Sequence, residues 1–303
     1  MKELVIISGK GGTGKTSITA AFASIASNYV LCDSDVDAAD LHLLMNPQPY
    51  STNDFIGGSI AAIRQDDCSG CATCLELCRF DAISDTFEID PISCEGCGVC
   101  VDFCPEKAID FPKQKCGQWF LSESRMGPMV HARLGIAEEN SGKLVSVIRQ
   151  QARMVAEQQG RDLIITDGPP GVGCPVIASI TGATALLIVV EPSLSSLHDM
   201  RRVAELGDHF KIPQMLCINK YDINQEISAA IKLEAEQRNI DVVGLIPFDP
   251  VFTHSMVAGQ NIIEYGKSPR LVEILSSIWE KIIKSKQMYT DHLQVIPIIS
   301  TKQ

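Results

Sequence analysis

Residues 6–22 read IISGKGGTGKTSITAAF: a short apolar run, a glycine-rich loop, then the start of a helical pattern. Gly9-Lys10-Gly11-Gly12-Thr13-Gly14-Lys15-Thr16 matches G-x-x-x-x-G-K-[ST], and a position after a strand and before a helix is the context this motif needs. The glycines let backbone N–H groups converge on phosphate oxygens, and the following helix adds its N-terminal dipole. Lys15 is placed to neutralise β- and γ-phosphate charge, and the Thr16 hydroxyl to ligate Mg2+, with Ser17 beside it in the phosphate cradle.

Working outward, further apolar runs predict strands near 4–8, 29–32, 163–166, 185–190, 214–218 and 242–246. They are short and continuous, as parallel strands covered on both faces should be. Ile18, Ala21, Phe22, Ile25 and Ala26 repeat with helical spacing. So do Leu144, Val147, Ile148, Gln151, Met154 and Val155, and later Leu271, Ile274, Leu275, Ile278 and Ile282. Strand and helix in alternation predict an α/β fold, a doubly wound and mostly parallel sheet.

Size and composition agree. A chain of 303 residues with 45% hydrophobic side chains can bury a large core. A net charge of −11 argues against nucleic acid or an anionic membrane surface as main partner, since both require a basic face. No run approaches the roughly 18 apolar residues of a membrane span. The N-terminus reads as a strand entering a loop rather than a signal peptide, so a cytoplasmic location is expected.

The segment near 66–111 breaks the alternation. Eight of twelve cysteines lie there, many for a compartment where disulfides are rare. The cysteines run Cys68-x2-Cys71-x2-Cys74-x3-Cys78 and then Cys94-x2-Cys97-x2-Cys100-x3-Cys104-Pro105. "CRFDAI" at 78–83 echoes "CPEKAI" at 104–109, an internal repeat. The spacing is that of bacterial ferredoxins, in which the fourth cysteine of each run ligates the other cluster. One [4Fe-4S] cluster is therefore assigned to Cys68, Cys71, Cys74 and Cys104, and the second to Cys94, Cys97, Cys100 and Cys78. A pair of zinc sites is the alternative, but zinc knuckles ordinarily use two cysteines rather than three at one spacing. Arg79 stands where a proline would follow the first run. The expected organisation is a nucleotide-binding domain of residues 1–63 plus 113–287, an inserted α+β domain at 64–112 that resembles a dicluster ferredoxin, and a tail at 288–303.

GKGGTGKT resembles the deviant Walker A loop of the MinD, Mrp and nitrogenase iron protein group of P-loop ATPases, which share the SIMIBI type of sheet. The resemblance covers about 1–63 and 113–285. It implies ATP and Mg2+ as cofactors and a nucleotide-dependent dimer, a homodimer or a heterodimer with a related ATPase. Lys10 would then reach the partner's nucleotide; its alternative is a solvated loop lysine. In VLCDSDVDAADL (30–41) the resemblance implies that Asp35 orients the attacking water and that Asp33 lies near Mg2+. Asp37 is a rival for either task, and Asp37 and Asp40 also suit helix capping. LIITDGPPGVG (163–173) is similar to a Walker B strand and switch II, with Asp167 on the magnesium and Gly168 and Gly171 as pivots. CINKYD (217–222) resembles a base-recognition motif, with Asn219 and Asp222 at the nucleobase edge and the Lys220 stem on its face. IPFDP (246–250) resembles the adenine-side loop and brings in Pro247.

Cys32, Cys116, Cys174 and Cys217 remain. Cys32 and Cys217 sit in strand contexts that suit buried thiols, and Cys116 has no evident partner in sequence. Cys174 follows Asp167 at the offset of the bridging-cluster cysteine of the nitrogenase iron protein, so a third, shared cluster is considered; the second cysteine expected near 123–135 is absent, though His131 lies there, and the alternative is a small residue packing behind switch II. The stretch ESRMGPMVHARLG (123–135), with Arg125, His131 and Arg133, is expected near switch II as a turn or loop that meets a partner. Together these readings predict an ATPase with electron-transfer activity or a part in iron–sulfur or metallocofactor assembly, acting on a redox or metallocofactor protein. The alternative is a redox-sensing positioning or scaffold ATPase recruited by a protein partner.

Overall fold

A computed structural model describes residues 1–135 and 141–289. In chain order the strands are β1 (Lys2–Ser8), β2 (Tyr29–Asp33), β3 (Gln48–Ser59), β4 (Ala62–Ile63), β5 (Ile109–Asp110), β6 (Lys113–Ser124), β7 (Gly127–Leu134), β8 (Leu163–Pro170), β9 (Ala185–Val190), β10 (Gln214–Asn219) and β11 (Asp241–Ile246). The helices are α1 (Lys15–Ile25), α2 (Leu41–Met45), α3 (Thr73–Leu77), α4 (Val99–Asp102), α5 (Ser141–Gln158), α6 (Cys174–Ile180), α7 (Leu194–His209), α8 (Gln225–Gln237), α9 (Val251–Val257), α10 (Ile262–Tyr265) and α11 (Pro269–Lys284).

Nine strands form one sheet in the order β11-β10-β9-β1-β8-β2-β7-β6-β3. The pairs from β11 through β7 are parallel, and β6 and β3 close one edge antiparallel. The alternation of side chains along β1 explains the double winding. Leu4 and Ile6 face a core shared with Phe22 of α1 and Leu275 and Ile278 of α11. Val5 and Ile7 face the opposite core, with Val176 of α6, Met200 and Val203 of α7 and Ile231 of α8. Helix α5 covers β2, β7 and β8 through Leu144, Ile148 and Ala152. The doubly wound, mostly parallel α/β reading holds. The six strands expected from apolar runs are six neighbours in the sheet, from β11 at one edge to β2, most of them differing from the expected bounds at their ends.

Three strands of this sheet (β3, β6 and β7) and the two-residue β4 and β5 were not foreseen, and one expectation is corrected. Residues 123–135 are not a loop near switch II: β6 and β7 are antiparallel across a two-residue turn at Arg125 and Met126. The Ser124 hydroxyl donates to the Gly127 carbonyl and accepts from the Met126 N–H, while Gly127 takes a φ of 121°. Those bonds and the buried Met129, Val130 and Ala132 of β7 make it a strand. Glycine, proline and two arginines disguise this in sequence.

Residues 60–112 leave the sheet between β3 and β6 and return to it. β4 and β5 pair with each other, and Ala61, Cys74, Ile83 and Ile109 form a small separate core with half-buried Ile63, Phe87 and Phe111. Ala61 and Ile63, just before the expected boundary at 64, pack within this small core as well. Register fixes where it stands. Asp33 pairs with His131, His131 with Phe120 and Phe120 with Thr52, while Ser59 pairs with Lys113 seven residues further along β3. The β3–β6 ribbon therefore runs on past Asp33 by roughly 20 Å, allowing about 3.4 Å per residue less the bulges. It carries the excursion toward the same end of the sheet as the phosphate loop.

Cys32, Cys116 and Cys217 are buried in strands. Burial pushes the Cys217 thiol up to about 12 and Cys32 higher still, so both stay protonated and inert. Among the described residues no helix is long and apolar enough to cross a membrane. Of the expected tail, 290–303 lies outside the described residues.

Candidate functional site

β1 ends in the loop Gly9–Thr16, and α1 starts at Lys15. Gly12 and Gly14 have φ of 79° and 90°, a left-handed path that a Cβ would strain. A Cβ on Gly9 would fall 2.3 Å from the Asp199 Cβ, and one on Gly14 would fall 2.4 Å from the Asn219 amide nitrogen. The loop is thus pinned between α7 and β10. Asn219, 4% exposed, donates through Nδ2 to the Thr13 carbonyl at 2.7 Å. Its amide straps the phosphate loop, and the residue also lines the cavity above it. Asp222, assigned with Asn219 to a nucleobase edge, accepts from the Phe248 N–H at 2.7 Å and anchors the loop after β11. The cavity of about 510 Å³ over the loop is within the range of small-molecule sites. Lys220, Pro247 and Phe248 line it, together with Leu43, Phe252 and Met256, whose sequence contexts carry no motif.

Three acids converge beneath the loop. Lys15 Nζ lies 3.0 Å from Asp167 Oδ1 and 3.3 Å from Asp35 Oδ2, almost fully buried. Asp167 also accepts from the hydroxyls of Thr16 and Thr19, each at 2.8 Å. Burial opposes charge on Lys15, but Asp167 and then Asp35 outweigh it and hold its pKa above the ordinary value. Burial raises Asp33 and Asp35, and Asp167 raises them further. One ammonium faces three carboxylates, so the site is short of positive charge. The Asp33 Oδ2 and Thr13 Oγ1 atoms are buried and have no hydrogen-bond partner. Buried polar atoms rarely stay unpaired, and a divalent cation with phosphate oxygens fits this donor set: Thr16, Asp33 and Asp167 for the metal, the loop N–H groups and Lys15 for phosphate. Asp37 is exposed and not part of this cluster.

Lys10 is held by its own chain. Its Nζ lies 2.8 Å from Glu191 Oε1 and donates to the hydroxyls of Ser193 at 3.2 Å and Ser195 at 3.3 Å. Glu191 also pairs with Lys220 at 3.0 Å, and Lys220 donates to the Gly12 carbonyl. Burial pushes Glu191 up, but the two ammoniums outweigh it and keep its carboxyl below the usual range. No sequence signal marks Glu191.

In the excursion the eight cysteines divide between two cavities. One is lined by Cys68, Cys71, Cys74 and Cys104, the other by Cys78, Cys94, Cys97 and Cys100. Gly70, Gly96 and Gly98, with Ala72, take positive φ between these residues and let the short runs curl. Burial, then the facing thiols, pushes Cys74 up and Cys100 up to about 11. Among the described residues no three ligating side chains converge on a point suited to one metal ion. Each cavity has four thiols in its lining, a donor set that would fit a thiolate-held iron–sulfur group.

The comparisons follow from this geometry. A family model for the CobQ/CobB/MinD/ParA nucleotide binding domain matches residues 4–262. The chain belongs to this nucleotide-binding family. The uncharacterized protein MJ0578 of Methanocaldococcus jannaschii is 34% identical over 284 residues, covering 92% of this chain and 96% of that one. Among solved structures, the cell division ATPase MinD of Pyrococcus furiosus has a TM-score of 0.58 at 16% identity, covering 93% and 98% of the two chains. MinD of Pyrococcus horikoshii, in complex with Mg-ADP, has a TM-score of 0.57 at 15% identity and covers 93% and 96%. At such identities the likeness is one of fold. Membership of the family accounts for the phosphate loop and the strand order around it; the cysteine cavities are read from this chain's own residues. The suggestion of a third cluster through Cys174 and His131 gains nothing: Cys174 is exposed at the start of α6, whereas His131 meets the Ser122 hydroxyl at 2.9 Å and stacks on Phe120.

Proposed function

We propose that the chain is an ATPase of the CobQ/CobB/MinD/ParA family that carries two [4Fe-4S] clusters and couples a nucleotide-driven dimer switch to electron transfer or to metallocofactor assembly. The observation that carries the reading is the sorting of eight cysteines into two quartets, each around its own cavity in the excursion that β3 and β6 support. Residue 78 of the first run lines the second cavity and residue 104 of the second run lines the first, the crossover expected of a dicluster site.

In this reading ATP·Mg2+ supplies the electrophilic phosphorus and screens its oxygens, and the clusters supply single-electron carriers. The chain's own residues do the rest. Gly9–Thr16 and Lys15 bind the phosphates, Asp33, Asp167 and Thr16 hold the metal, and Asp35 positions the attacking water. Lys10, once free of Glu191, meets the nucleotide of a second subunit. Asp35 sits at the start of the connection through α2 to β3, so a change in its contacts is passed to the ribbon that bears the cysteines. The proposed partners are a second ATPase subunit, identical or related, and a redox or metallocofactor protein.

Anaerobic preparation followed by iron analysis and EPR-monitored redox titration, with and without ATP, tests this. About eight irons per chain and two reducible clusters whose potentials move with nucleotide are expected. Zinc in their place, or potentials indifferent to nucleotide, would refute the coupling.

A further inference from the structure

Charge is distributed unevenly over this chain. Residues 60–112 hold eleven acidic against three basic side chains, a formal −8 of the chain's −11. The apolar surface of the excursion is uneven too. Leu77, Phe80 and Val99 line the cavity of Cys78, Cys94, Cys97 and Cys100, yet are 38–44% exposed. Phe103, 64% exposed, lies one turn beyond Val99, whose carbonyl accepts from its N–H, so the two side chains share a face. None of the large exposed apolar residues lines the cavity of Cys68, Cys71, Cys74 and Cys104.

The acids follow the same pattern. Glu76 adjoins Leu77, Asp81 adjoins Phe80, Asp102 adjoins Phe103, and Glu95 lies on the second cavity itself. All four are exposed, and none enters an ion pair among the described residues. Arg79, between Cys78 and Phe80, is the one basic residue beside them. Exposed aromatic and aliphatic side chains next to an opening, rimmed by four carboxylates against one guanidinium, are the build of a transient protein contact: the apolar centre gives adhesion and the rim gives steering.

We infer that the lip of the Cys78/Cys94/Cys97/Cys100 cavity is the docking surface for a redox protein with a basic rim around an apolar centre, and that electrons cross there rather than at the other cavity. The inference rests on the cluster reading above and adds the place and the partner's charge. Small electron-transfer contacts of this kind are weak and brief, and their association rate falls with salt.

The test uses the full chain, loaded anaerobically and reduced, with cytochrome c as the probe, a basic protein with an exposed haem edge. The rate of cytochrome c reduction is followed by stopped flow across a range of ionic strength. One variant combines Glu76→Gln, Asp81→Asn, Glu95→Gln and Asp102→Asn. A control of the same net charge combines Asp66→Asn, Asp85→Asn, Glu88→Gln and Glu106→Gln, near the first cavity. The lip variant should react about tenfold more slowly and lose most of its salt dependence, while the control stays within about twofold of the parent. Phe103→Ser should weaken saturation and leave the salt slope intact. Equal slowing in lip variant and control, or greater slowing in the control, overturns the proposal. Iron analysis and EPR on each sample separate the two layers: protein without reducible clusters sinks the cluster reading and this inference with it, whereas full clusters with an indifferent lip sink the inference alone.

Discussion

The nucleotide site and the cysteine-rich excursion are held by opposite means. The phosphate loop is bracketed by strands buried on both faces. Leu4, Val5, Ile6 and Ile7 of β1 are fully buried, and the loop they support is strapped by Asn219 and crowded by Asp199. The excursion has two strands of two residues, two helices of four and five residues, and four buried apolar residues at its centre. Helices so short have no independent stability. A module with so small a core needs another source of folding energy, and bound metal is the usual one. On the proposed reading, the difference teaches that the nucleotide site is organised before its ligand arrives and the smaller excursion by its clusters.

The sharpest break in that comparison is removal of the metal. In apo protein, or in a Cys71→Ser/Cys97→Ser double variant, amide exchange should lose its protection throughout 60–112 while β1 and β8 keep theirs and nucleotide still binds. Persistent protection of the excursion without iron would make its small core sufficient and end the contrast.

Lys10→Ala comes next. If this lysine acts in trans, turnover should drop by roughly 10²–10³, below the range for an arginine finger because an ammonium lacks the guanidinium fork. Nucleotide affinity should hardly change, since Lys10 contacts Glu191, Ser193 and Ser195 rather than the loop. Steady-state hydrolysis beside equilibrium binding tests this, and unaltered turnover would return Lys10 to the status of a surface residue.

Asn219→Ala removes the strap on Thr13. Leaving a buried carbonyl unpaired costs about 1–3 kcal/mol, so ATP affinity should fall about tenfold by calorimetry with iron content unchanged. A loss of clusters in this variant would show the two regions to be less separate than their cores suggest.

The smallest effect concerns the strand between them. His131 on β7 pairs in register with Asp33 and touches Ser122 and Phe120 of the ribbon. Burial, then the charges of His42 and Arg133, lowers its pKa to about 4 from the ordinary 6.5. The native state therefore resists a proton that the unfolded chain accepts. The stability this contributes is present above about pH 6.5 and is lost as pH falls toward 4. Urea titrations of parent and His131→Gln across that window should differ in slope, by on the order of 1 kcal/mol in total. Parallel curves would show that the ring is more exposed to water than its contacts indicate.

Legibility in sequence followed the range of the interactions. Gly9–Thr16 could be read because a phosphate cradle is built from consecutive backbone groups, and the division of the cysteines into two quartets because their spacing repeats along the chain. The central strands could be read because burial on both faces leaves a continuous apolar run. β3, β6 and β7 could not, since an edge ribbon half in water mixes Gln, Lys and Ser with Trp119 and Phe120, and its pairing is decided across the sheet. The bonds of Asn219 to the Thr13 carbonyl and of Asp222 to the Phe248 N–H could not be read either, since they join segments 206 and 26 positions apart.

By itself the sequence determined the phosphate loop, the alternation that requires a doubly wound sheet, and a ferredoxin-like grouping of cysteines, because each is written in neighbours along the chain. Tertiary structure alone decided that Lys10 is held by Glu191, that three acids share one buried lysine, and that a β-ribbon carries the cysteines toward the nucleotide end of the sheet. Those contacts join residues from 20 to well over a hundred positions apart, and only packing brings such residues within reach of one another.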